Sequence, residues 1–245
     1  MDPVLQIEAL SHSYGERRAL SEVNLSLRRG EFMALIGPNG SGKTTLMRCL
    51  AGVLKPSAGR IAIDGIALAE DMLAAKQRLG YAVDPVLLPD ALTGDQCLKL
   101  FAEVRGIGTV PRDMFELAEA LAFAPWLHEP VERYSLGTRQ KLGILLGLIG
   151  TPPLLVLDEP MNGLDPVSAY ELKQYLVGLV RQGRVGVLLA THALEVAERF
   201  ITRAELLVEG RLTREWNSEQ LAVIRADPSH SLEQAMVEEL RRKPG

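Results

Sequence analysis

The chain has 245 residues, 47% hydrophobic and 24% charged, a balance that excludes a disordered chain and leaves room for one large domain or one domain with an inserted lobe. Its net charge of -4 and pI near 5.7 give no support to the basic surface on which nucleic-acid binding rests, and its two cysteines, Cys49 and Cys97, make neither a disulfide framework nor a metal site. The most apolar stretch, residues 142–157, is interrupted by Gly150, Pro152 and Pro153, which excludes a membrane-spanning run of about 20 apolar residues.

In chain order, residues 4–10 alternate in part, Tyr14-Gly15 offers a turn and residues 23–27 alternate cleanly, so the first 30 residues predict short strands. Residues 32–36 form a continuous apolar run, as a strand buried on both faces requires. Glycines follow, and the breaker-free run 44–50 predicts a helix ending at Gly52. Asp64-Gly65 predicts a tight hairpin turn within residues 60–68. From about residue 92 to 149 the apolar spacing becomes helical, at Leu117, Ala118, Leu121 and Ala122 for example, and predicts a helical lobe. Residues 154–157 read as a buried strand, and Asp165-Pro166 as the cap and first residue of a helix running to about Arg181. A strand over 185–190, a short helix from Ala193, a strand and turn at 205–210 and an amphipathic helix over 231–242 complete the chain. Together they predict an α/β sheet with helices on both faces. The expected division is one domain over 1–225, with the lobe at about 90–150 inserted, and a helical extension over 226–245.

The segment Gly37-Pro38-Asn39-Gly40-Ser41-Gly42-Lys43-Thr44 fits the pattern G-x-x-x-x-G-K-[ST] in full. Its glycines let the backbone curl so that successive N–H groups point at phosphate oxygens, and the helix that follows presents its positive end to them. Lys43 supplies a full charge to the β- and γ-phosphates, the Thr44 hydroxyl suits Mg2+, and Thr45 stands beside it. ATP and Mg2+ are therefore the expected ligands. Further on, Asp158 and Glu159 stand where an apolar strand ends, the place at which open α/β sheets bind ligands. Asp158 is expected to hold the magnesium through water, and Glu159 to take a proton from the water that attacks the γ-phosphate.

With both motifs placed, residues 4–216 resemble the ATP-binding subunits of ABC transporters. The resemblance implies a phosphate-loop NTPase core of the RecA-like type, an N-terminal antiparallel β subdomain and an inserted helical subdomain. Tyr14 sits where the family stacks an aromatic ring on adenine. Tyr134-Ser135-Leu136-Gly137-Thr138-Arg139-Gln140 matches the signature motif, Asn162-Gly163-Leu164-Asp165 the D-loop, and Thr191-His192 the switch histidine that contacts the γ-phosphate. A helix start carrying Ser135 and Gly137 is also a second anion site on physical grounds. In the family it caps the nucleotide of a second ATP-binding subunit, packed head to tail, and the pair drives membrane-spanning permease subunits. His12, His128 and His230 fit no motif and read as surface residues.

Two positions depart from the family. Asp84 stands where glutamine is usual, keeping an oxygen for magnesium but losing the amide donor. Leu136 and Thr138 replace the usual glycine and glutamine of the signature, a variant that resembles exporters of drugs and polysaccharides. The implied function is ATP hydrolysis powering export, with the Asp84 loop and the apolar residues 86–92 as the docking surface. Met1-Asp2-Pro3 has no secretion-signal pattern, so the expected location is the cytoplasmic face of the inner or plasma membrane, held peripherally. A soluble ATPase of the same type acting on nucleic acid or ribosomes is the alternative, and the acidic balance and single phosphate loop weigh against it. A phosphate-loop kinase is a third reading, opposed by the signature and D-loop matches.

Overall fold

Alternating apolar residues build the first sheet. In a computed structural model, which describes residues 2–191, 194–227 and 230–242, β1 (Leu5–Tyr14) and β2 (Arg17–Leu27) pair antiparallel around Gly15. β3 (Phe32–Ile36) is buried along its whole length, and α1 (Lys43–Leu50) follows it after the glycine loop. β4 (Ala58–Ile63) and β5 (Ile66–Ala67) turn back through Asp64 and Gly65, both at positive φ (51° and 80°), as a two-residue hairpin turn demands.

Next come α2 (Met72–Gln77) and β6 (Leu79–Tyr81), then the lobe helices α3 (Gly94–Val104), α4 (Arg112–Ala120) and α5 (Leu136–Leu148). Reciprocal capping between Thr93 and Gln96 starts α3. The buried Tyr134 hydroxyl ties the lobe together, accepting from Gly94 N at 3.1 Å and donating to Trp126 O at 2.6 Å. The chain returns through β7 (Leu154–Asp158), α6 (Pro166–Arg181), β8 (Gly186–Ala190) and α7 (Leu194–Ala197). β9 (Arg203–Val208), β10 (Arg211–Trp216), α8 (Ser218–Ala226) and α9 (Leu232–Arg242) end it.

Two sheets result. One is antiparallel, ordered β2-β1-β4-β5; the other is ordered β10-β9-β3-β8-β7-β6 and is parallel except for β10. The pleat of β3 separates two cores, because successive side chains point to opposite faces. Phe32, Ala34 and Ile36 join the helical lobe and α6, whereas Met33 and Leu35 join α1 and the antiparallel sheet. Leu221, Ile224 and Leu232 pack into the first of these cores, so the last two helices share it. Both cysteines are buried, and burial pushes their thiols up to about 11. Among the described residues no helix is long and apolar enough to cross a membrane.

The first hairpin strands run longer than their alternation predicts, because bulges at Ala9 and Glu22 (φ 47° and 52°) interrupt the pattern without ending the pairing. Four elements escape sequence reading: α2, β6, β10 and α8. β6 has three residues and exists through its pairing with β7. β10 is an edge strand whose charged residues hide its period. His12 also needs correction: it is 8% exposed, with Nδ1 3.1 Å from Lys55 O and its ring edge-on to Tyr14. The ring can be buried because its Nδ1 meets a backbone carbonyl and its apolar surface packs on Tyr14.

Candidate active site

The loop after β3 owes its path to close backbone neighbours. A Cβ on Gly37 would lie 2.1 Å from Leu207 O, and one on Gly42 would lie 2.6 Å from Ala19 O. Gly42 also sits at φ 111°, where a side chain would be strained. It precedes α1 without any side-chain cap, so the first N–H groups of that helix face the loop unclaimed by a side chain. Ser41 Oγ is buried with no hydrogen-bond partner among the described residues. An orphaned hydroxyl beside uncapped amides is what an anion site needs. Lys43 folds across the loop, its Nζ donating to Gly37 O at 2.7 Å and Pro38 O at 3.2 Å.

β7 delivers the carboxylates. Asp158 is its last residue, and the Thr44 side chain lies beside it. Burial raises the Asp158 pKa; the Thr44 side chain opposes this, Glu159 adds to it, and Lys43 and Arg48 pull it back. Burial in turn lowers the Lys43 pKa, against the pull of Glu159 and Asp158. Glu159 stands at φ 48°, a left-handed conformation that a non-glycine residue adopts at a cost. Its N–H is fixed by Ala190 O at 2.9 Å. The strained turn ends the strand abruptly and puts the Glu159 side chain on the wall of a cavity of about 760 Å³.

Around that cavity the fold gathers Tyr14, Asn39, Gly40, Ser41, Gly42, Lys43, Thr44, Thr45, Asp158 and Glu159. Gly37 and Pro38 touch it indirectly, through the Lys43 amine. Tyr14 is 47% exposed, its ring open for stacking. Asn162 of the D-loop lines the cavity too, as do Arg17, Arg18 and Glu209, to which sequence reading gave no site role. The two arginines stand one residue beyond the predicted Tyr14-Gly15 turn, which was the available signal.

Residues 20–162 match the family model described as ABC transporter. The chain belongs to the ABC transporter family. It is 35% identical to the Bacillus subtilis ABC transporter ATP-binding protein YdbJ over 87% of this chain and 69% of that protein. It is 34% identical to the daunorubicin resistance ATP-binding protein DrrA3 of Streptomyces coeruleorubidus, over 90% and 70%. A dimeric ATP-binding cassette in a post-hydrolysis state, bound to ADP and Pi, superposes with a TM-score of 0.78 at 25% identity, over 87% and 98% of the two chains. The chain is therefore an ATP-binding ATPase subunit of an ABC transporter, and the nucleic-acid alternative falls away.

Apart from Asn162 of the D-loop, the family's remaining motifs among the described residues do not line the cavity. Ser135 caps α5, its Oγ accepting from Thr138 N at 3.1 Å. A Cβ on Gly137 would stand 2.6 Å from Gly163 O, so the signature rests against the D-loop of its own chain. Asp165 caps α6, accepting from Ser168 N at 2.9 Å and from the Lys141 amine at 2.8 Å. Those donors hold its carboxyl well below the usual range. Asp84 accepts from Val86 N at 3.0 Å and caps the short 3-10 turn Pro85–Leu87, which leaves Val86 and Leu87 80% and 75% exposed. His192 lies outside the described residues.

Proposed function

We propose that this chain binds MgATP between the loop 37–44 and the end of β7, hydrolyses it, and powers export through membrane-spanning permease subunits on whose cytoplasmic face it sits. The observation that carries the reading is the convergence of Lys43, Thr44, Asp158 and Glu159 on one cavity, from elements far apart in sequence. Tyr14 stacks on adenine. The loop amides, the Ser41 hydroxyl and Lys43 cradle the phosphates, with Lys43 exchanging its carbonyl partners for phosphate oxygens. Glu159 takes the proton of the attacking water, and His192 contacts the γ-phosphate.

The donor set fits magnesium. Thr44 and Asp158 meet as two hard oxygens beside the phosphate loop, and among the described residues no group of three or more His, Cys, Asp or Glu forms a metal cage. That is the environment of an ion held by one or two protein oxygens plus phosphate and water. Thr44 and Asp158 would hold it, with Asp84 the third oxygen proposed from the sequence. Bound there, the ion supplies charge neutralisation at the phosphates.

Ser135 and Gly137 complete the site of a second, head-to-tail subunit, and Asp165 holds the D-loop against that interface. Export as the direction is supported by the Ser-Leu-Gly signature and by the drug-resistance name of a relative with 34% identity. Glu159→Gln tests the chemistry: ATP binding stays and steady-state phosphate release falls by about 10²–10⁴-fold, the range for losing a general base. Hydrolysis at the wild-type rate would remove Glu159 from that role.

A further inference from the structure

The cavity wall carries three carboxylates, Asp158, Glu159 and Glu209, and three cations, Lys43, Arg17 and Arg18. Without the two arginines, a single lysine would stand against three carboxylates, a wall that repels polyphosphate. Arg17 is also placed to act directly. It lies opposite Tyr14 in the β1–β2 register, so both side chains leave the hairpin on the same face. Its Nη2 is 4.0 Å from where a Cβ on Gly40 would stand, beside the middle of the phosphate loop. The Arg17 side chain is exposed and makes no hydrogen bond or ion pair among the described residues. A guanidinium offers a planar fork of donors that matches two phosphate oxygens, which a point-charge amine does not.

We infer that Arg17 is a phosphate-binding residue of the nucleotide site, its guanidinium closing the loop 37–44 over the β- and γ-phosphates from the hairpin side. The inference rests on the nucleotide reading above and deepens it: one hairpin holds both ends of the ligand, Tyr14 the base and Arg17 the phosphate chain. Discrimination among ATP, ADP and AMP then depends on Arg17 together with Lys43 and the loop amides, whereas affinity for the base depends on Tyr14.

Calorimetric titration of the full chain with ATP, ADP and AMP, using wild type, Arg17→Gln, Arg17→Lys and Tyr14→Ala, tests this. Arg17→Gln is expected to weaken ATP by about tenfold or more and ADP by less. AMP is expected to stay within about twofold, since it lacks the groups that Arg17 binds. Arg17→Lys recovers part of the loss, and Tyr14→Ala weakens all three nucleotides alike. An Arg17→Gln chain that binds ATP as wild type does, or that loses ATP and AMP equally, overturns the role of Arg17 and leaves the nucleotide reading standing. A wild-type chain that binds no ATP overturns both.

Discussion

Asp84 and Asp158 are both aspartates offered to the same ion, and their surroundings separate them. Asp158 is part-buried at a strand end, beside Thr44 and within the field of Lys43. Asp84 spends its carboxylate on Val86 N and does not line the cavity. A group already committed to a turn must give up that bond to reach a metal, so its ligand role is the weaker of the two. Asp84→Ala is expected to raise the magnesium concentration for half-maximal turnover by about 3–10-fold, as losing an outlying ligand does. A magnesium titration that superposes on wild type would leave Asp84 as a turn residue only. Glu159 shows the opposite case, in which a backbone at φ 48° tolerates strain to aim a side chain.

At the scale of elements, two helix starts meet. Asp165 caps α6 and also pairs with Lys141 of α5, while Gly137 leaves no room between α5 and Gly163. The signature and the D-loop are thus tied together, because the ion pair and the close backbone approach cross the same junction. The β9–β10 hairpin carries a different strain. Glu205 faces Glu215 in register, and burial plus that second carboxylate raise Glu205 to about 7, with Arg203 offsetting part of the effect. The folded chain therefore keeps a proton that the unfolded chain releases near 4.5, its ordinary value. Stability contributed by that proton is complete below pH 4.5 and is lost as pH rises towards 7. Glu205→Gln is expected to flatten this slope and to stabilise the chain at pH 8 by on the order of 1 kcal/mol. Urea denaturation at pH 4.5 and 8 measures it, and an unchanged slope would show that Glu205 does not hold the proton.

At the scale of the whole molecule, the proposed second subunit has a geometric counterpart. Ser135 and Gly137 do not line their own chain's cavity, which supports the proposal that they cap a nucleotide carried by a second copy. With ATP and magnesium, Glu159→Gln is expected to double its mass in size-exclusion light scattering, since nucleotide bound between two copies is not consumed. Adding Ser135→Arg to the same variant is expected to abolish the shift by filling the anion site with a bulky side chain. A doubly substituted protein that still dimerises with nucleotide would contradict head-to-tail packing. Exposed Val86 and Leu87 project from the Asp84 turn, and they remain the surface proposed for the permease.

The chemistry of this chain was legible in its linear order wherever consecutive residues act together. Residues 37–44 read as a phosphate loop because amide curl, helix start and lysine are all local. Asp158-Glu159 read as a strand-end pair, and Asp165-Pro166 as a helix cap, on the same ground. What the chain order hid were contacts between segments. Arg17, Arg18 and Glu209 reach the cavity from two hairpins, and His12 is buried between Tyr14 and Lys55 O. β6 needs β7 to exist as a strand, and α8 reveals its inner face only when Leu221 and Ile224 meet the common core. Local hydrogen bonding and periodicity are written into neighbouring residues. Burial, field and close approach depend on which distant segments the packing brings together, and those only the tertiary structure decided.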